Sequence, residues 1–462
     1  MQKTSALKVI CASLALMALS ACATNPKADS SLTLESTGQV MSAAETANRY
    51  NINGDWWQIY QSNQLDALMN QALANNIDLK QAAISVNKAL YQANILGADL
   101  VPSFSGSLGA STSRNLKSDG DNNNSFSSQL GLSYELDLWQ KLRETTNAQV
   151  WEYRATQEDL ANTRLTLLNN VSDAYFNIAY INEAMELTKK SVKEYEEINR
   201  IAQAKYRYGK ADSSGPVQSE QSLFSARNNL ISLQSSRDTL EQTLRNLLNL
   251  KPEEAIAAEP SQYRLLPVKG VDLNVPISVL ANRPDLRAAE YRLQSALSSQ
   301  KAQQRSWYPS VTIGASLSTS STQAKSTFDV PFLGGSVKIN LPFLDWNTLE
   351  WEDKTAQANF DSARLNFEQT LTTALNEVNT NYRQYTHAES TLTNLQQRYA
   401  LAQKNSHYYQ VRYRYGKNEL KDWLDALNTE YSSAQTLLNQ RYETLKYENM
   451  VYKAMAGRYT PK

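Results

Sequence analysis

The sequence predicts a mostly α-helical chain built from two copies of one module, and each copy contains an amphipathic β-hairpin. The first observation is a repeat: Tyr206-Arg-Tyr-Gly-Lys210 recurs letter for letter as Tyr413-Arg-Tyr-Gly-Lys417. The second is a set of long segments without Gly or Pro, in which nothing interrupts a helical hydrogen-bond ladder. The third is a pair of segments where large apolar and small polar residues alternate, as they do in a strand with two different faces.

The repeat extends well beyond the shared pentapeptide. Identical residues recur at the same offset in Pro102 and Pro309, Trp139 and Trp346, and Tyr175 and Tyr382. This predicts an internal duplication, with a first repeat at 64–250 and a second at 277–456. The connector 251–276 contains four prolines and is expected to be irregular, and residues 457–462 form a short tail.

Each repeat is expected to contain one very long helix, at about 139–208 and about 346–415, followed by a turn and a second helix. Leu168, Val171, Tyr175 and Ile178 follow the 3–4–3 spacing of a coiled-coil seam. Such a narrow apolar stripe on a polar helix cannot form a core by itself. The pattern therefore predicts long helices packed side by side.

The alternating segments are expected to form β-hairpins at about 103–138 and about 310–345. The residues that alternate on one side are Phe104, Leu108, Ala110, Thr112, Phe126, Leu130, Leu132, Tyr134, Leu136 and Leu138 in the first hairpin, and Val311, Ile313, Ala315, Leu317, Val337, Ile339, Leu341 and Phe343 in the second. The length and alternation are typical of transmembrane β-strands. A soluble hairpin that buries one face is the alternative interpretation.

Four spanning strands cannot form a closed sheet, because hydrocarbon leaves the backbone groups of an open edge without partners and barrels start at about eight strands. Two chains would supply eight strands and three would supply twelve. An eight-stranded barrel is just filled by side chains, whereas larger barrels leave an aqueous channel. A conducting pore therefore favours three or more copies.

Composition argues against several other classes of function. The chain has 462 residues, with 46 Lys and Arg against 46 Asp and Glu, so it lacks the basic excess of a nucleic-acid-binding protein. The only histidines are His387 and His407, and there are two cysteines. The chain therefore has almost no side chains that could form a metal site or a Ser/His/Asp or Cys/His catalytic arrangement. We expect a protein that is not an enzyme and has no metal and no cofactor.

The N-terminus resembles that of a bacterial lipoprotein. Lys3 and Lys8 precede an apolar core that ends in Leu19-Ser-Ala-Cys22, which is similar to a lipobox. Residues 1–21 are therefore expected to be a signal peptide, with a covalent lipid on Cys22 of the mature protein. Ala23 favours the outer membrane as the destination. The alternative is an ordinary cleavable signal with a chance cysteine.

Four features together resemble the TolC-type outer-membrane factors, in particular the NodT-type efflux lipoproteins. They are the lipobox, the duplicated helix–hairpin–long helix–helix units, the strand end Tyr134-Glu-Leu-Asp-Leu-Trp139 and the helix start Arg283-Pro-Asp-Leu286…Glu290. The resemblance implies a homotrimer with a twelve-strand β-barrel in the outer membrane and a twelve-helix α-barrel in the periplasm. Residues 22–63 would carry the acylated N-terminus. Residues 23–63, the connector 251–276 and the tail after Gly457 would form an equatorial belt.

The resemblance also implies a function and partners. The chain would be the outer-membrane channel of a tripartite efflux system in a Gram-negative bacterium, a passive exit duct for drugs or other small toxic compounds. A periplasmic adaptor and an inner-membrane RND, MFS or ABC transporter would be its partners, together with outer-membrane lipid. A type I secretion duct and a non-conducting coiled-coil envelope lipoprotein are the alternatives.

Site residues follow from the same resemblance. The two turns would form the periplasmic tip and the adaptor-docking surface, with Tyr206, Arg207, Tyr208, Gly209 and Lys210 in one and Tyr413, Arg414, Tyr415, Gly416 and Lys417 in the other. Asp422 and Asp425, three residues apart on a helix, would form carboxylate rings at a constriction, and Tyr413 would be a gating residue. The alternative is an ordinary solvated coiled-coil face for both aspartates.

The sequence departs from the family pattern at the tip. Asn418 replaces an arginine and Gly215 replaces an aspartate that some relatives use to hold the tip shut. We therefore expect a different closure network, with Ser214, Asp212 or Lys417 as candidates.

Overall fold

The computed structural model describes residues 48–114, 123–272, 274–327 and 332–461. The expected signal peptide and Cys22 lie outside these residues, as do residues 115–122 and 328–331 of the two hairpin tips. The chain divides into two compact units. The sheet unit comprises the described residues of 92–150 and 295–357, and the helix unit comprises those of 48–91, 151–294 and 358–461.

The α-helices are α1 (Asn63–Asn75), α2 (Ile77–Gly97), α3 (Lys141–Arg207), α4 (Ser214–Leu247), α5 (Pro284–Arg305), α6 (Trp346–Arg414) and α7 (Leu420–Ala454). The strands are β1 (Tyr50–Asn53), β2 (Ser103–Ser113), β3 (Asn123–Leu136), β4 (Ser310–Ser321), β5 (Phe332–Asn340) and β6 (Arg458–Pro461). Helices α3 and α6 have 67 and 69 residues, or about 100 Å each at the usual rise. In the described part of the chain no helix is both long and apolar enough to cross a bilayer.

In the sheet unit, the two hairpins join into one antiparallel sheet with the order β2-β3-β4-β5. Directly opposed residues share a face of a sheet, so the register shows what each face carries. One row runs Phe104–Leu132–Ala315–Gly335 and another runs Leu136–Val311–Ile339. These rows make one face of the sheet largely apolar.

The opposite face is small and polar. Ser105 lies opposite Gly131, which lies opposite Ser316. A Cβ atom on Gly131 would fall 2.7 Å from the Ser105 Oγ, and one on Gly109 would fall 2.8 Å from the Ser127 Oγ. A larger residue at Gly131 or Gly109 would have to displace the neighbouring serine hydroxyl, so this part of the polar face carries only small side chains.

The strands end earlier than the alternation suggests. Leu138, Leu341 and Phe343, expected to extend them, lie outside β3 and β5. Pro342 begins a short 3₁₀ helix, Pro342–Asp345, and a proline has no N–H to donate to a sheet. At the end of β3, the Asp137 carboxylate accepts hydrogen bonds from the Leu142 and Arg143 N–H groups and so caps α3.

The core of the helix unit forms around the predicted seam of α3. Leu168, Val171, Tyr175 and Ile178 are all buried. They pack with α1, α7 and the connector, where Tyr263 stacks near Tyr175 at a centroid distance of 4.5 Å. The seam is therefore covered by several elements of the same unit.

The Arg283-Pro-Asp-Leu286 motif fixes the start of α5. The Arg283 guanidinium bonds to the Asp285 and Glu377 carboxylates at 2.7 and 2.8 Å and donates to the Ala454 carbonyl oxygen at 2.8 Å. One buried cation thereby joins α5, α6 and the end of α7, and its two carboxylates compensate its desolvation.

The described parts of the expected belt pack together on α7. Strand β1 pairs with β6. The Glu448 carboxylate accepts hydrogen bonds from the Tyr60 hydroxyl at 2.7 Å and from the Lys269 N–H at 2.9 Å, while the Trp56 indole donates to Asn449 Oδ1 at 2.8 Å. Two adjacent buried residues of α7 thus hold both the N-terminal segment and the connector. Burial raises the pKa of the Glu448 carboxyl, and the hydrogen bond from Tyr60 opposes that shift.

Candidate functional site

The two repeated turns have the same local structure. Gly209 and Gly416 have φ values of 65° and 70°, in the left-handed region that glycine adopts most easily. In the first turn the Gly209 N–H donates to the Tyr206 carbonyl and the Lys210 N–H to the Lys205 carbonyl. The second turn repeats both bonds at equivalent positions. Each long helix therefore ends in a Schellman motif.

The helices that leave the turns are capped differently. Before α4, the Asp212 carboxylate accepts hydrogen bonds from the Ser214 N–H at 3.0 Å and its hydroxyl at 2.6 Å, which lower the pKa of the Asp212 carboxyl. Before α7, Glu419 and Asp422 form a capping box, in which Asp422 accepts from the Glu419 N–H at 3.2 Å. Asp422 therefore also stabilises the start of its helix.

The two turns belong to one packed site in the helix unit. A cluster of buried apolar side chains joins the ends of four helices; its members are Tyr195, Ile198, Ala202, Leu223, Ala226, Tyr413, Leu420, Trp423, Leu424 and Leu427. A Cβ atom on Gly215 would lie 3.6 Å from Leu420 Cδ2, so the starts of α4 and α7 are in contact. We call this cluster the tip core.

Tyr413 is the centre of the tip core. Its ring packs on the Trp423 ring at a centroid distance of 5.4 Å, with an angle of 34° between the planes. The Lys205 ammonium lies 3.9 Å from the centre of the Tyr413 ring on the other repeat, close enough for a cation–π attraction. Its ring therefore lies between a cation of the first repeat and an aromatic ring of the second.

Within the described chain, the bonds of Asp212, Ser214 and the Lys417 carbonyl, at the positions expected to hold the tip shut, stay inside their own turns. Asp212 and Ser214 bond to each other, and the Lys417 carbonyl accepts from the Arg412 guanidinium of its own turn at 3.1 Å. These bonds stay within one turn because short side chains bond most readily to nearby groups. Among the described residues, the repeats meet in the tip core through Lys205, apolar packing and the hydrogen bond from the Tyr195 hydroxyl to Asn428.

Asp422 and Asp425 lie on the exposed side of α7, whereas Trp423 and Leu424 between them are buried. The sequence spacing therefore does bring both carboxylates to one exposed helix face. Trp423 and Lys205 were missed as site residues. The available signal was a large aromatic residue placed between two acidic ones.

Two cavities flank Tyr413. One, of about 360 Å³, is lined by Glu194, Glu197, Ile201, Lys205, Arg414 and Trp423. The other, of about 310 Å³, is lined mainly by polar residues, including Asp212, Ser214, Asn418, Glu419 and Lys421. Of the predicted site residues, Tyr413 borders both cavities, Arg414 borders the first and Lys210 borders the second.

A second set of contacts places α3 against α7. The Tyr431 hydroxyl donates to the Glu194 carboxylate at 2.6 Å, and the Tyr195 hydroxyl donates to Asn428 Oδ1 at 2.6 Å. Burial, with the Glu194 charge adding to it, raises the pKa of Tyr431. Further along, the Gln435 amide donates to the Thr188 hydroxyl at 3.3 Å. The contacts follow α3 and α7 in antiparallel register.

The described residues contain no cluster of three or more His, Cys, Asp or Glu side chains that could hold a metal ion. The tip core has the composition of a packed helix junction with exposed charges around it.

Comparison with known proteins identifies the architecture. A family model described as "Outer membrane efflux protein" matches residues 68–250 and 275–457, one range in each repeat. The chain is 46% identical over 415 residues to an uncharacterized protein of Haemophilus influenzae, covering 90% of this chain and 91% of that one. It is 44% identical over 418 residues to "Toxin and drug export protein A" of Aggregatibacter actinomycetemcomitans, covering 90% and 92%.

Solved structures have the same fold. The Campylobacter jejuni CmeC outer membrane channel matches with a TM-score of 0.81 at 24% identity, covering 88% of each chain. The family match confirms the resemblance carried by the duplicated turns, the paired hairpins and the Arg283 motif. A chain with this duplication, this two-faced sheet and these matches across both repeats belongs to the outer membrane efflux protein family.

Proposed function

We propose that three copies of the chain form a twelve-stranded β-barrel and a twelve-helix barrel, and that this duct is the passive exit path of a tripartite efflux system. The observation that carries the proposal is the sheet: one largely apolar face, one face mainly of Ser, Gly and other polar residues, and open edges at β2 and β5. Open edges in hydrocarbon must be paired. Twelve strands leave room for water, while eight are filled by side chains.

The proposed cargo is drugs or other small toxic compounds. A lumen lined by serine and glycine offers few groups that bind one molecule in preference to another, so we assign substrate choice to the partner pump. The 44% identical relative that is named for toxin and drug export supports this class. Its name also supports a second candidate, a secretion duct for a larger toxin.

The proposed docking surface for the periplasmic adaptor is the pair of turns. Tyr206, Tyr208 and Tyr415 are at least half exposed although their side chains are large. Four exposed basic residues lie beside them, Arg207, Lys210, Arg414 and Lys417, together with the exposed acidic residues Asp212 and Glu419. This surface suits a partner with apolar side chains and carboxylates. Through the adaptor, an RND, MFS or ABC transporter of the inner membrane would supply the energy.

The proposed constriction lies at Asp422 and Asp425, with Tyr413 as the residue that holds it narrow. In a trimer each aspartate would become a ring of three carboxylates. Such a ring favours cations and disfavours anions at a narrow point. Opening would require the Tyr413 ring to leave Lys205 and Trp423.

The proposed location is the outer membrane of a Gram-negative bacterium, with the helices in the periplasm and a covalent lipid on Cys22 as an additional anchor. Membership in the efflux family argues against a non-conducting spacer and against an enzyme.

Fractionation of the Cys22→Ser variant tests the proposal. A barrel holds itself in the membrane, so the variant should stay in the outer-membrane fraction and still form channels in planar bilayers. A variant that becomes soluble, or a purified native protein that never conducts, would contradict the duct.

A further inference from the structure

Helix α4 carries an apolar stripe that nothing in the described chain covers. Val217, Phe224 and Ile231 are spaced by seven residues, and each is more than half exposed. Seven-residue spacing places them on one side of the helix, as in a coiled-coil seam. A stripe of this kind marks a surface that packs against another helix.

Helix α6 carries a second stripe of the same spacing. Leu401 and Tyr408 lie seven residues apart near its end, Tyr415 follows after another seven, and all three are more than half exposed. Each repeat therefore has a helix with an uncovered stripe in the helix unit.

The internal duplication identifies what each stripe corresponds to. The repeat offset is the spacing that relates Tyr206 to Tyr413. At this offset, Val217, Phe224 and Ile231 of α4 correspond to Leu424, Tyr431 and Leu438 of α7. Leu424 is buried in the tip core, and Leu438 packs against the main core of the helix unit. The side of α7 that is covered within one chain is thus the side of α4 that is exposed.

The partner of that α7 face is α3. Glu194 of α3 bonds to Tyr431, and Ile201 of α3 lines the cavity beside Trp423. At the repeat offset, Glu194 and Ile201 become Leu401 and Tyr408 of α6. The exposed stripe of α6 is therefore the counterpart of the α3 surface that covers α7.

A second region of the helix unit repeats the relationship. The rings of Trp151 on α3 and Tyr291 on α5 stack at 5.6 Å with 28° between the planes. Their counterparts at the repeat offset are Ala358 on α6 and Ile84 on α2, and both are exposed. A large residue on one helix would here face a small one on the other, as packed helices require.

We infer that α6 of one copy packs in antiparallel register on α2 and α4 of the next copy, with Leu401 against Phe224, Tyr408 against Val217, and Ala358 against Ile84. The contact repeats between copies the packing that α3 makes with α5 and α7 within one chain. It joins two different surfaces, so it is heterologous and generates a ring when the rotation closes. The inference rests on the proposed assembly and adds its register.

Cysteine pairs test the register in the full-length protein in its own membrane. Phe224→Cys with Leu401→Cys should yield covalent dimers and trimers on treatment with a short bis-maleimide, because each copy then links to both neighbours. Ile84→Cys with Ala358→Cys should do the same. Each single variant is a control, since one cysteine per chain cannot form this heterologous link.

Two further pairs calibrate the reach of the cross-linker. Glu194→Cys with Tyr431→Cys should react within one chain and produce no ladder. Ile231→Cys with Leu401→Cys is displaced by seven residues, or about 10 Å along the helix, and should react more slowly than the Phe224 pair.

The outcomes test the register of the contact between copies separately from the proposed duct. A ladder from the Phe224 and Ile84 pairs supports the inference. Equal or faster linkage of the Ile231 pair, links to a different protein, or no ladder in a protein that still conducts as an oligomer would each overturn the register and leave the duct intact. A chain that is monomeric in membranes and never conducts would overturn both.

Discussion

The Lys205 ammonium lies 3.9 Å from the centre of the Tyr413 ring and so connects the last turn of α3 with the last turn of α6. The two residues are on equivalent helices of different repeats, and the backbone carbonyl of each accepts a hydrogen bond within the Schellman motif of its own turn. Tyr413 also packs on Trp423 at the start of α7. One aromatic ring is thus held between a cation from the first repeat and an indole from the second.

Removing the cation should loosen the tip. A cation–π contact is worth about 0.5–2 kcal/mol, which corresponds to about a 2- to 30-fold change in the ratio of open to closed tips. We expect Lys205→Ala to raise the open probability of single channels in planar bilayers, and Lys205→Arg to behave like the native protein.

The hydroxyl of Tyr413 provides the control for that experiment. Tyr413→Phe keeps the ring that Lys205 and Trp423 contact, so its channels should remain closed, whereas Tyr413→Ala should open them. If Tyr413→Phe opened the channel as much as Tyr413→Ala, closure would depend on the hydroxyl and the ring contact would not explain it.

The aspartates of α7 should control ion passage at the constriction. Replacing Asp422 and Asp425 together by Asn removes both carboxylates at nearly constant size. We expect lower cation preference and weaker block by multivalent cations, and Asp422→Asn should also weaken the capping box slightly.

Asp238→Asn provides the matched control, because it removes an exposed carboxylate of α4 away from the tip core. Unchanged selectivity and block in the double variant would remove Asp422 and Asp425 from the conduction path.

Part of this site could be predicted from sequence and part could not. The turns and the spacing of the aspartates are local features, and glycine at a helix end is a local signal. Lys205 and Trp423 contact Tyr413 only after three helices pack together. No periodicity in the chain indicates which of several lysines lies over the ring.

The fold, like the site, has features that the sequence predicts and features that it does not. The expected long helix at 139–208 begins at Lys141, because Asp137 caps it and Gln140 adopts a φ of 63°. The alternation identifies the residues of each sheet face. The alternation does not predict that β3 pairs with β4, because this pairing joins strands of different repeats that are far apart in sequence.

The two faces of the sheet should tolerate charge very differently. Leu132 lies on the apolar face with Phe104 and Ala315, and its neighbour Ser133 lies on the other face. We expect Leu132→Arg to reduce the amount of protein in the outer membrane, since arginine facing lipid costs about 2–4 kcal/mol at the midplane.

Ser133→Arg should insert normally and alter conductance instead, because its side chain would face water. The amount of each variant in isolated outer membranes and its single-channel conductance check the pair. Equal loss of both variants would contradict a lumen on the serine side.

Glu448 should make the stability of the helix unit depend on pH. Its pKa in the folded protein is raised above the ordinary 4.5, so the folded chain binds the proton more tightly than the unfolded chain does. The free energy of unfolding should therefore be highest in acid and fall as the pH rises from 4.5 through the folded-state pKa. The groups that act on this carboxyl are Tyr60, Lys269, Gly270 and Arg458.

Glu448→Gln keeps an acceptor for the Tyr60 hydroxyl and removes the titration. Thermal unfolding of detergent-solubilised protein should show a smaller decline between pH about 5 and about 8 in the variant than in the native chain. An identical decline in both would assign the pH dependence to other groups.

Stepwise block of single channels tests the central claim, a water-filled duct closed by three copies. Ser133→Cys channels in a planar bilayer are treated with a bulky, membrane-impermeant thiol reagent, and Leu132→Cys channels are the comparison. We expect the conductance of each Ser133→Cys channel to fall in three discrete steps and the Leu132→Cys channel to remain unchanged. Block of the Leu132→Cys channel, a different number of steps, or no conductance at all would contradict the account.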